Sequence, residues 1–440
     1  MYTDENIFFA TTIMRHLLDI GSNRPNTSDK LGRYYTKDEI GDFLVHQMGA
    51  VSPERLLDLG AGAGALSLAA VERWAPKAIC TVDIDGDVEI RLKSLLRNKA
   101  GIRHRHVRAD ALSIDLPWRA RSRDRGFDAA VCNPPFVVPR WRKRYGEILE
   151  DAGLSGCIPS AGGVDAPLLF LAQNLRSMGP NATLGIILPD SLVSSVRYKR
   201  FREELVLRYS VQRVIKLPRG AFVGTDALAS ILIVSTEKPT DKTIALSRLT
   251  QERGMTSEVV IAPDRAIERL DYDFHAATPT CAPPRYEVRR LADLLEDLRR
   301  GSVENALART QEVPVLHTTH IDVDRVGTWR DFKSCTAEPS HPPHWVRAAR
   351  GDILLARVGR NLEQKICGVS GGAPLLTDCV YRLRVRAKYR EIVLDQLTSD
   401  RGQAWLASRA YGVGARQLSK ADLMEFPIHL ANNNGKVNHG

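Results

Sequence analysis

The chain has 440 residues, of which 43% are hydrophobic, and it carries a formal net charge of +10. This length and apolar content suit two or three globular domains, each with a core of its own. No apolar run is long enough to span a bilayer and the first residues are polar and acidic, so we expect neither a membrane anchor nor a signal peptide.

The seven cysteines are scattered and never stand in Cys-x-x-Cys spacing. This usage favours a reducing cytoplasm and argues against a structural zinc site. Two His-x-x-His pairs, which begin at His317 and His341, have ligand-like spacing but no acidic or cysteine neighbours, so we expect no metal. The positive charge favours a polyanionic partner but does not identify one.

Residues 1–50 are expected to form an N-terminal helical segment. Apolar residues recur at helical spacing in two stretches, residues 7–20 and 40–48. Thr36 stands where it can cap the second helix, with Glu39 three residues later as a capping-box partner. Capping leaves room for a second role of Thr36 in ligand binding.

A glycine-rich loop follows the first predicted strand. Residues 55–59 have the character of a buried strand and run into Gly60, Gly62 and Gly64, after which a helical pattern begins. In this context the glycines let the backbone approach a ligand closely, and the helix N-terminus offers unpaired N–H groups. The stretch is therefore typical of a nucleotide-binding site.

Three further strands are predicted after the glycine loop, and each ends in a polar residue. The second ends at Asp83, the third at Asp110 and the fourth at Asn133. In an open α/β sheet, ligands bind at the carboxyl ends of the strands, so these side chains are expected to meet. The ordered series of glycine loop, acid, acid and amide is much more specific than a glycine loop alone.

The fourth strand ends in Asn133, Pro134, Pro135 and Phe136. The two prolines fix φ and remove two backbone donors, so the apolar run can continue neither as a sheet strand nor as a helix. The result is a rigid loop that presents one amide side chain, one carbonyl and one aromatic face. These groups can hold a planar ring and accept hydrogen bonds from its amino group; an ordinary strand-ending turn is the alternative.

The spacing of the glycines argues against a dinucleotide-binding oxidoreductase. The loop is Gly-x-Gly-x-Gly rather than Gly-x-Gly-x-x-Gly, and Asp58 stands just before it. A carboxylate at this point would repel a pyrophosphate. It suits a cationic ligand that carries an amino group, such as S-adenosylmethionine.

Basic and aromatic residues interleave after the fourth strand. Arg140, Arg142 and Lys143 are candidates for contacts with DNA phosphates, and a solvated helix face is the alternative interpretation. Further patterns complete a sheet of about seven strands: helices at residues 168–178 and 199–209, and strands at residues 183–189, 211–217 and 229–235.

The pattern changes after residue 240. We predict a catalytic domain over residues 51–240, a connecting region over 241–310 with a short helix at 291–300, a β-rich module over 311–432 and a tail at 433–440. In the β-rich module, Arg357, Arg360 and Arg416 are available for phosphates or base edges. The predicted fold class is therefore α/β, a Rossmann-like sheet domain followed by an α+β DNA-recognition domain.

The order of these motifs resembles that of the gamma-class amino-DNA methyltransferases of restriction–modification systems, over most of residues 30–235. The resemblance implies that S-adenosylmethionine is the cofactor and that the N6 amino group of adenine in double-stranded DNA is the acceptor. It implies cofactor contacts for Thr36, Asp58, Gly60, Gly62, Gly64, Asp83, Asp110 and Asn133. It implies catalysis by Asn133, Pro134, Pro135 and Phe136, with Phe136 and Phe222 stacking on the flipped base. Phe136 replaces the commoner tyrosine, but stacking needs only the ring.

Residues 351–359 and 414–418 resemble parts of the target-recognition domains of type I specificity subunits. No Pro-Asp…Asp/Glu-x-Lys nuclease cluster is apparent in the sequence. The likeness therefore implies a modification enzyme with its own DNA reader, a monomer or homodimer associated with the nucleoid in a bacterial or archaeal cytoplasm. It allows a separate restriction endonuclease as a partner.

Two other kinds of function stay open from the sequence. RNA and protein-glutamine methyltransferases also use an Asn-Pro-Pro-aromatic loop, although the basic C-terminal module argues against a protein substrate. A catalytically idle DNA-binding subunit is the other, and the intact glycine loop and acids argue against it. The choice of adenine over cytosine rests on the order of the family's motifs.

Overall fold

The computed structural model describes residues 38–49, 51–97, 99, 101–121, 125–158, 163–222, 227–239, 243–250, 254–277, 286–304, 315–333, 342–412 and 414–431. Thr36, the helix predicted at residues 7–20 and the tail at 433–440 lie outside these ranges. The chain divides into two compact units, unit 1 (Met1–Tyr272) and unit 2 (Asp273–Gly440).

Unit 1 is built on one large sheet. In the described part of the chain its strands are β1 Arg55–Leu59, β2 Ala78–Asp83, β3 Arg103–Arg108, β4 Phe127–Cys132, β5 Met178–Pro189, β6 Ser210–Lys216, β7 Ala229–Ser235, β8 Ile244–Thr250, β9 Gly254–Met255 and β10 Val259–Ile261. Their order is β10-β8-β6-β7-β5-β4-β1-β2-β3, and β9 pairs with β8. Strands β1 to β5 are parallel, whereas β7 is antiparallel to both of its neighbours.

The sheet has ten strands in its described part, where the sequence predicts seven. Strand β8 pairs in parallel with β6, and β9 and β10 pair with β8. The side chains of Ile244, Leu246 and Leu249 are buried, so this stretch continues the sheet. Strands β8, β9 and β10 therefore belong to the sheet, although the sequence predicts a connecting region there.

Helices cover both faces of the sheet. They are α1 Asp38–Gln47, α2 Ala65–Trp74, α3 Gly86–Leu96, α4 Leu116–Ala120, α5 Lys143–Asp151, α6 Ala166–Ser177, α7 Asp190–Ser194, α8 Lys199–Arg208 and α9 Pro263–Glu268. Neighbouring residues of β1 enter different cores: Leu57 clusters with residues of α5, α6 and α8, and Leu56 clusters with residues of α1 and α2. Successive side chains of a strand point to opposite faces, so the strands are buried on both sides.

Unit 2 is a mixed α+β fold. Its strands are β11 Tyr286–Arg290, β12 Leu295–Arg300, β13 Val315–Leu316, β14 Trp329–Asp331, β15 Ile353–Ala356, β16 Val358–Gly359, β17 Ile366–Gly371, β18 Leu375–Leu376, β19 Val380–Val385, β20 Arg416–Gln417 and β21 Pro427–Ala431. The central sheet has the order β12-β19-β15-β17-β14, and the other strands pair in two-stranded ribbons. The helices are α11 Arg390–Thr398, α12 Asp400–Arg409 and α13 Lys420–Met424, and α10 Tyr272–Ala276 lies at the boundary of the units.

Residues 291–300 do not form the predicted helix. A single 3₁₀ turn, Leu291–Leu294, leads directly into β12, which pairs antiparallel with β19. No helix in the described ranges of either unit is long and apolar enough to cross a membrane.

Candidate active site

The glycine loop joins β1 to α2 with a backbone that only glycine adopts easily. Gly62 has φ 51° and Gly64 has φ 91°. A Cβ at position 64 would lie 2.6 Å from the buried Leu92 side chain, whereas a Cβ at position 62 would meet no atom closer than 3.9 Å. Gly64 therefore allows close packing of the loop on α3, and Gly62 leaves open space on the side of the cavity described below.

The carboxylate of Asp83 lies at the end of β2, directly beside the glycine loop. Its two oxygens accept hydrogen bonds of 2.9 Å from the backbone N–H groups of Gly62 and Asp85. A carboxylate has about four acceptor positions, so Asp83 retains acceptor capacity for hydroxyl groups of a ligand. The backbone fixes the orientation of this acid.

Asp110 begins the loop after β3. Its Oδ1 accepts a 2.9 Å hydrogen bond from the backbone N–H of Leu112. Its Oδ2 lies 4.0 Å from Nη1 of Arg142, and both side chains are exposed. This ion pair is long and solvated, so it contributes little stability and leaves Asp110 accessible.

The loop after β4 places Asn133 and Pro135 against the same open space, and Pro134 is buried. The side-chain oxygen of Asn133 is shielded from solvent. The preceding residue, Cys132, donates an Sγ–H hydrogen bond of 3.1 Å to the carbonyl of Leu59, which ties the ends of β4 and β1 together. The Asn-Pro-Pro-Phe loop and the glycine loop thus follow neighbouring strands whose ends are tied together.

Phe136 and Phe222 lie next to each other, as the sequence predicts, but not as parallel plates. Their ring centroids are 6.2 Å apart and the planes meet at 73°. Phe222 is buried, and Phe136 is half-buried. A planar base sandwiched between two rings needs parallel faces, so the two rings would have to separate and rotate to accept one.

A cavity of about 230 Å³ brings most of the predicted residues together. Its walls include Gly60, Gly62, Gly64, Asp83, Asp110, Asn133 and Pro135 from the sequence prediction. Sequence reasoning misses Ala111, Leu112, Ala166 and Phe170, which also line it. Their apolar character is that of ordinary core residues, so only the fold identifies them.

Asp58 is not part of the cavity wall. Its side chain is completely buried, and its Oδ2 accepts a 2.5 Å hydrogen bond from the hydroxyl of Ser67. Among the described residues, the other oxygen has no hydrogen-bond partner. Burial raises the pKa of Asp58 to about 7. The predicted direct contact of Asp58 with a cofactor is therefore not what this geometry shows.

The predicted DNA-binding residues fall into two groups. Arg140, Arg142 and Lys143 are exposed just after the Asn-Pro-Pro-Phe loop, and Arg360 is exposed in unit 2. Two other unit 2 arginines, Arg357 and Arg416, are largely buried, with side chains 12% and 15% exposed.

The two buried arginines donate hydrogen bonds within unit 2. Nε of Arg357 donates to the carbonyl of Asp378 at 2.8 Å. Arg416 donates to the carbonyls of Ala407 and Ala410, and its Nη1 lies 4.0 Å from a Glu363 carboxylate oxygen. These contacts give both arginines a structural role.

The family model described as N-6 DNA Methylase matches residues 20–270, which is more than half of the chain. The chain belongs to the N-6 DNA methylase family. S-adenosylmethionine is the cofactor of this N-6 DNA methylase, and the cavity fits it. The cavity combines an apolar cleft with two carboxylates and a glycine cradle, which suits a ligand with hydroxyl groups, an adenine ring and a positive charge.

Individual relatives cover the chain only in part. A protein of Methanocaldococcus jannaschii named "Putative type II restriction enzyme and methyltransferase" is 26% identical over 137 residues, which are 30% of this chain and 10% of that protein. The methyltransferase subunit of a type I restriction-modification system from Streptococcus thermophilus has a TM-score of 0.43 and 20% identity, over 55% of this chain and 52% of that one. The type IIG restriction endonuclease BpuSI has a TM-score of 0.48 and 14% identity, over 98% of this chain and 61% of that one.

The chain thus spans a tenth of the curated relative and between half and two thirds of these solved chains. The family match, and not these partial likenesses, carries the identification.

Proposed function

We propose that this chain is a gamma-class, site-specific DNA methyltransferase that modifies the N6 amino group of adenine in double-stranded DNA. The observation that carries the proposal is the shared wall of the cavity: Asn133 and Pro135 of the Asn-Pro-Pro-Phe loop line the same space as the glycine loop and the two acids. A cofactor bound at Asp83 and Asp110 would therefore lie close to the side-chain amide of Asn133, which would face the acceptor base.

Asp83 and Asp110 would hold the cofactor. Asp83, fixed by the backbone of the glycine loop, would accept hydrogen bonds from the ribose hydroxyls. Asp110 would accept one from the adenine amino group, in the cavity that Leu112 and Phe170 also line. When bound, S-adenosylmethionine supplies an electrophilic methyl group on a sulfonium centre. Asp58 acts indirectly in this proposal, by holding the end of β1 through Ser67.

Asn133 and Pro134 would activate the acceptor. The target adenine leaves the duplex because its amino group cannot be reached inside the stack. The side-chain oxygen of Asn133 and the carbonyl of Pro134 accept the two amino hydrogens, and this directs the nitrogen lone pair towards the methyl donor. Positioning and electrostatic stabilisation supply most of the rate increase, and the methylated nitrogen then loses one of its hydrogens as a proton to water.

Phe136 would stack on the flipped base. A stacked base gains roughly 1–3 kcal/mol from an aromatic ring, by analogy with single-strand binding. Phe222 can take the other face of the base only after it turns away from its edge-on contact with Phe136. Pro135 supports the loop from the cavity side. We keep Thr36 as a proposed contact of the cofactor's methionine part.

Unit 2 would act as the target-recognition module. The proposal rests on the likeness of residues 351–359 and 414–418 to specificity subunits and on exposed basic side chains such as Arg360. Arg140, Arg142 and Lys143 would contact phosphates near the flipped base. The chain would work as a monomer or homodimer in a bacterial or archaeal cytoplasm, as the modification enzyme of a restriction–modification system with a separate endonuclease.

Transfer of a radioactive methyl group tests the proposal. The purified protein is incubated with labelled S-adenosylmethionine and, separately, with double-stranded DNA, total RNA and a protein extract, with the Asn133→Ala variant as the blank. We expect label in DNA that is lost in the variant. Label in RNA or protein, again dependent on Asn133, would keep the chemistry and overturn the substrate.

A further inference from the structure

Helix α6 contacts three parts of the candidate site. Its first residue, Ala166, donates its backbone N–H to the carbonyl of Val137, in the loop after Asn133, at 2.8 Å. One turn later the ring of Phe170 lies against the glycine loop, where it would be 3.1 Å from a Cβ at Gly60. The next turn of the helix carries Gln173, which faces the loop that begins with Asp110.

The side chain of Gln173 is completely buried, and its amide nitrogen donates two hydrogen bonds to that loop. One goes to the carbonyl of Ala111 at 2.9 Å and the other to the carbonyl of Ser113 at 2.7 Å. An amide nitrogen has two hydrogens, so both are used on the same loop. None of these donations goes to the backbone of α6 itself.

Arg176 fixes the orientation of this amide. Its Nη1 donates a 2.6 Å hydrogen bond to Oε1 of Gln173, and its Nη2 donates to the carbonyl of Ile114 at 3.2 Å. The same Nη2 forms an ion pair of 2.8 Å with Asp151 of α5. Oε1 is therefore held as the acceptor, so the amide nitrogen must face the loop.

The loop that receives these bonds forms one wall of the cavity. Asp110, Ala111 and Leu112 all line the cavity, and the residues between β3 and α4 form no strand or helix. Within the loop, Leu112 donates to the Asp110 side chain and Ser113 donates to the Asp110 carbonyl, and at its start Ala109 donates to the carbonyl of Asp83 at 3.0 Å. The bonds from α6 therefore tie the later part of this wall, Ala111 to Ile114, to the same helix that contacts the glycine loop.

We infer that Gln173 is a positioning residue for the cofactor: it holds the Asp110 loop at the distance from the glycine loop that the adenine end of the ligand requires. The inference rests on the proposed function, since it takes the cavity to be the S-adenosylmethionine site. A buried glutamine that only satisfies the core would contribute to stability alone. A positioning glutamine also changes ligand affinity, and it does so through Asp110.

The test uses Gln173→Met, which keeps the length of the side chain and removes both donors together with the acceptor of Arg176. Ser177→Ala is the matched control, because Ser177 is equally buried on the same helix and its side-chain hydroxyl donates to its own helix, at the carbonyl of Gln173. Calorimetry measures binding of S-adenosylhomocysteine, and thermal unfolding measures stability. We expect Gln173→Met to weaken binding about tenfold, because two carbonyls of the wall lose their donors, and Ser177→Ala to leave binding unchanged.

A double-mutant cycle with Asp110→Asn shows whether the effect passes through the loop. We expect the double variant to bind S-adenosylhomocysteine only slightly more weakly than whichever single variant has the lower affinity, because both changes disable the same contact. Losses that multiply, or wild-type binding by Gln173→Met with a lowered melting temperature, would overturn the inference. A wild-type protein that binds S-adenosylhomocysteine but methylates no DNA would overturn the proposed function and leave the inference standing.

Discussion

The carboxylates at the edge of the unit 1 sheet and the arginines of unit 2 are held in opposite ways. Asp83 accepts hydrogen bonds from backbone N–H groups of the glycine loop and of its own loop, Asp110 accepts one from its own loop, and both still line a cavity. Arg384 instead spends two of its donors on the buried carboxylate of Asp352, at 2.9 Å each. Backbone-held acids keep acceptor capacity for a ligand, whereas paired arginines have little left for a phosphate. The carboxylates of Asp83 and Asp110 are therefore accessible to a ligand, whereas Arg384 of unit 2 is engaged within the fold.

The largest expected effect is the loss of turnover in Asn133→Ala, at the edge of the unit 1 sheet that also carries Asp83 and Asp110. Asn133→Ala removes the side-chain oxygen that the proposed mechanism uses as an acceptor for the reacting amino group, so turnover should fall by about 100- to 1,000-fold. Binding of S-adenosylmethionine should change little, since Asp83 and Asp110 are untouched. Methyl transfer and calorimetry on the same preparation measure both quantities. Near-normal turnover would show that this edge of the sheet is not catalytic.

Two glycines of the glycine loop should differ in what they contribute to stability, because Gly64 is packed and Gly62 borders open space. Gly64→Ala puts a methyl group 2.6 Å from the Leu92 side chain, in a backbone with φ 91°. We expect it to lower the free energy of unfolding by about 2–4 kcal/mol, from backbone strain and overpacking together. Gly62→Ala, whose methyl group meets open space, should show only the strain, about 1–2 kcal/mol. Chemical denaturation of both variants checks the difference, and equal losses would contradict it.

Asp58 predicts a pH dependence of stability. Its folded pKa, raised by burial to about 7, lies above the ordinary value of 3.8, so the folded state binds the proton more tightly. The stability contributed by the protonated form is complete below the ordinary pKa and is lost as pH rises through the folded pKa. Wild type should therefore lose up to about 1.4 kcal/mol per pH unit relative to Asp58→Asn between roughly pH 4 and 7.

Melting curves of wild type and Asp58→Asn at several pH values measure this difference. Asparagine keeps an acceptor for Ser67 and cannot ionise. Parallel stability profiles for the two proteins would mean that folding does not raise the pKa of Asp58.

The last two predictions compare two arginines of unit 2, and the smallest expected effect on stability is that of Arg360→Ala. Arg416→Ala should lower the free energy of unfolding by about 1–3 kcal/mol, because it leaves two carbonyls without their donor. Arg360→Ala, at an exposed position, should leave stability unchanged and reduce the salt dependence of DNA binding by about one unit of slope. Denaturation and binding titrations at several salt concentrations compare the pair. The reverse assignment of effects would show that the buried arginine is the DNA contact.

Much of the site follows from sequence because of topology. Each of Gly62, Asp83, Asp110 and Asn133 follows a strand, and parallel strands bring those ends to one edge whatever the details of packing. The strand Ala229–Ser235 has the predicted bounds because it is a continuous apolar run. For such residues, the position in the sequence relative to the strands is enough to predict the place in the fold.

Other features depend on tertiary contacts that no local pattern encodes. The partners of Arg416 come from α12 and from Glu363, so its orientation cannot be read from the sequence around it. Gln173 looks like any polar residue of an apolar helix until the loop after β3 is placed beside it. Residues 291–300 have leucines at helical spacing, but pairing with β19 makes most of them a strand. Asp58 precedes the glycine loop in sequence, yet its side chain turns to Ser67.

Mapping of modified bases in living cells tests the central claim most directly. The chain is expressed in a bacterial host that lacks DNA methylation, and native genomic DNA is sequenced for modified bases, with Asn133→Ala expressed in parallel. We predict N6-methyladenine at one short motif in cells with the wild-type protein and none with the variant. Unmodified DNA from cells whose purified protein is soluble and binds S-adenosylmethionine would contradict the assignment to DNA.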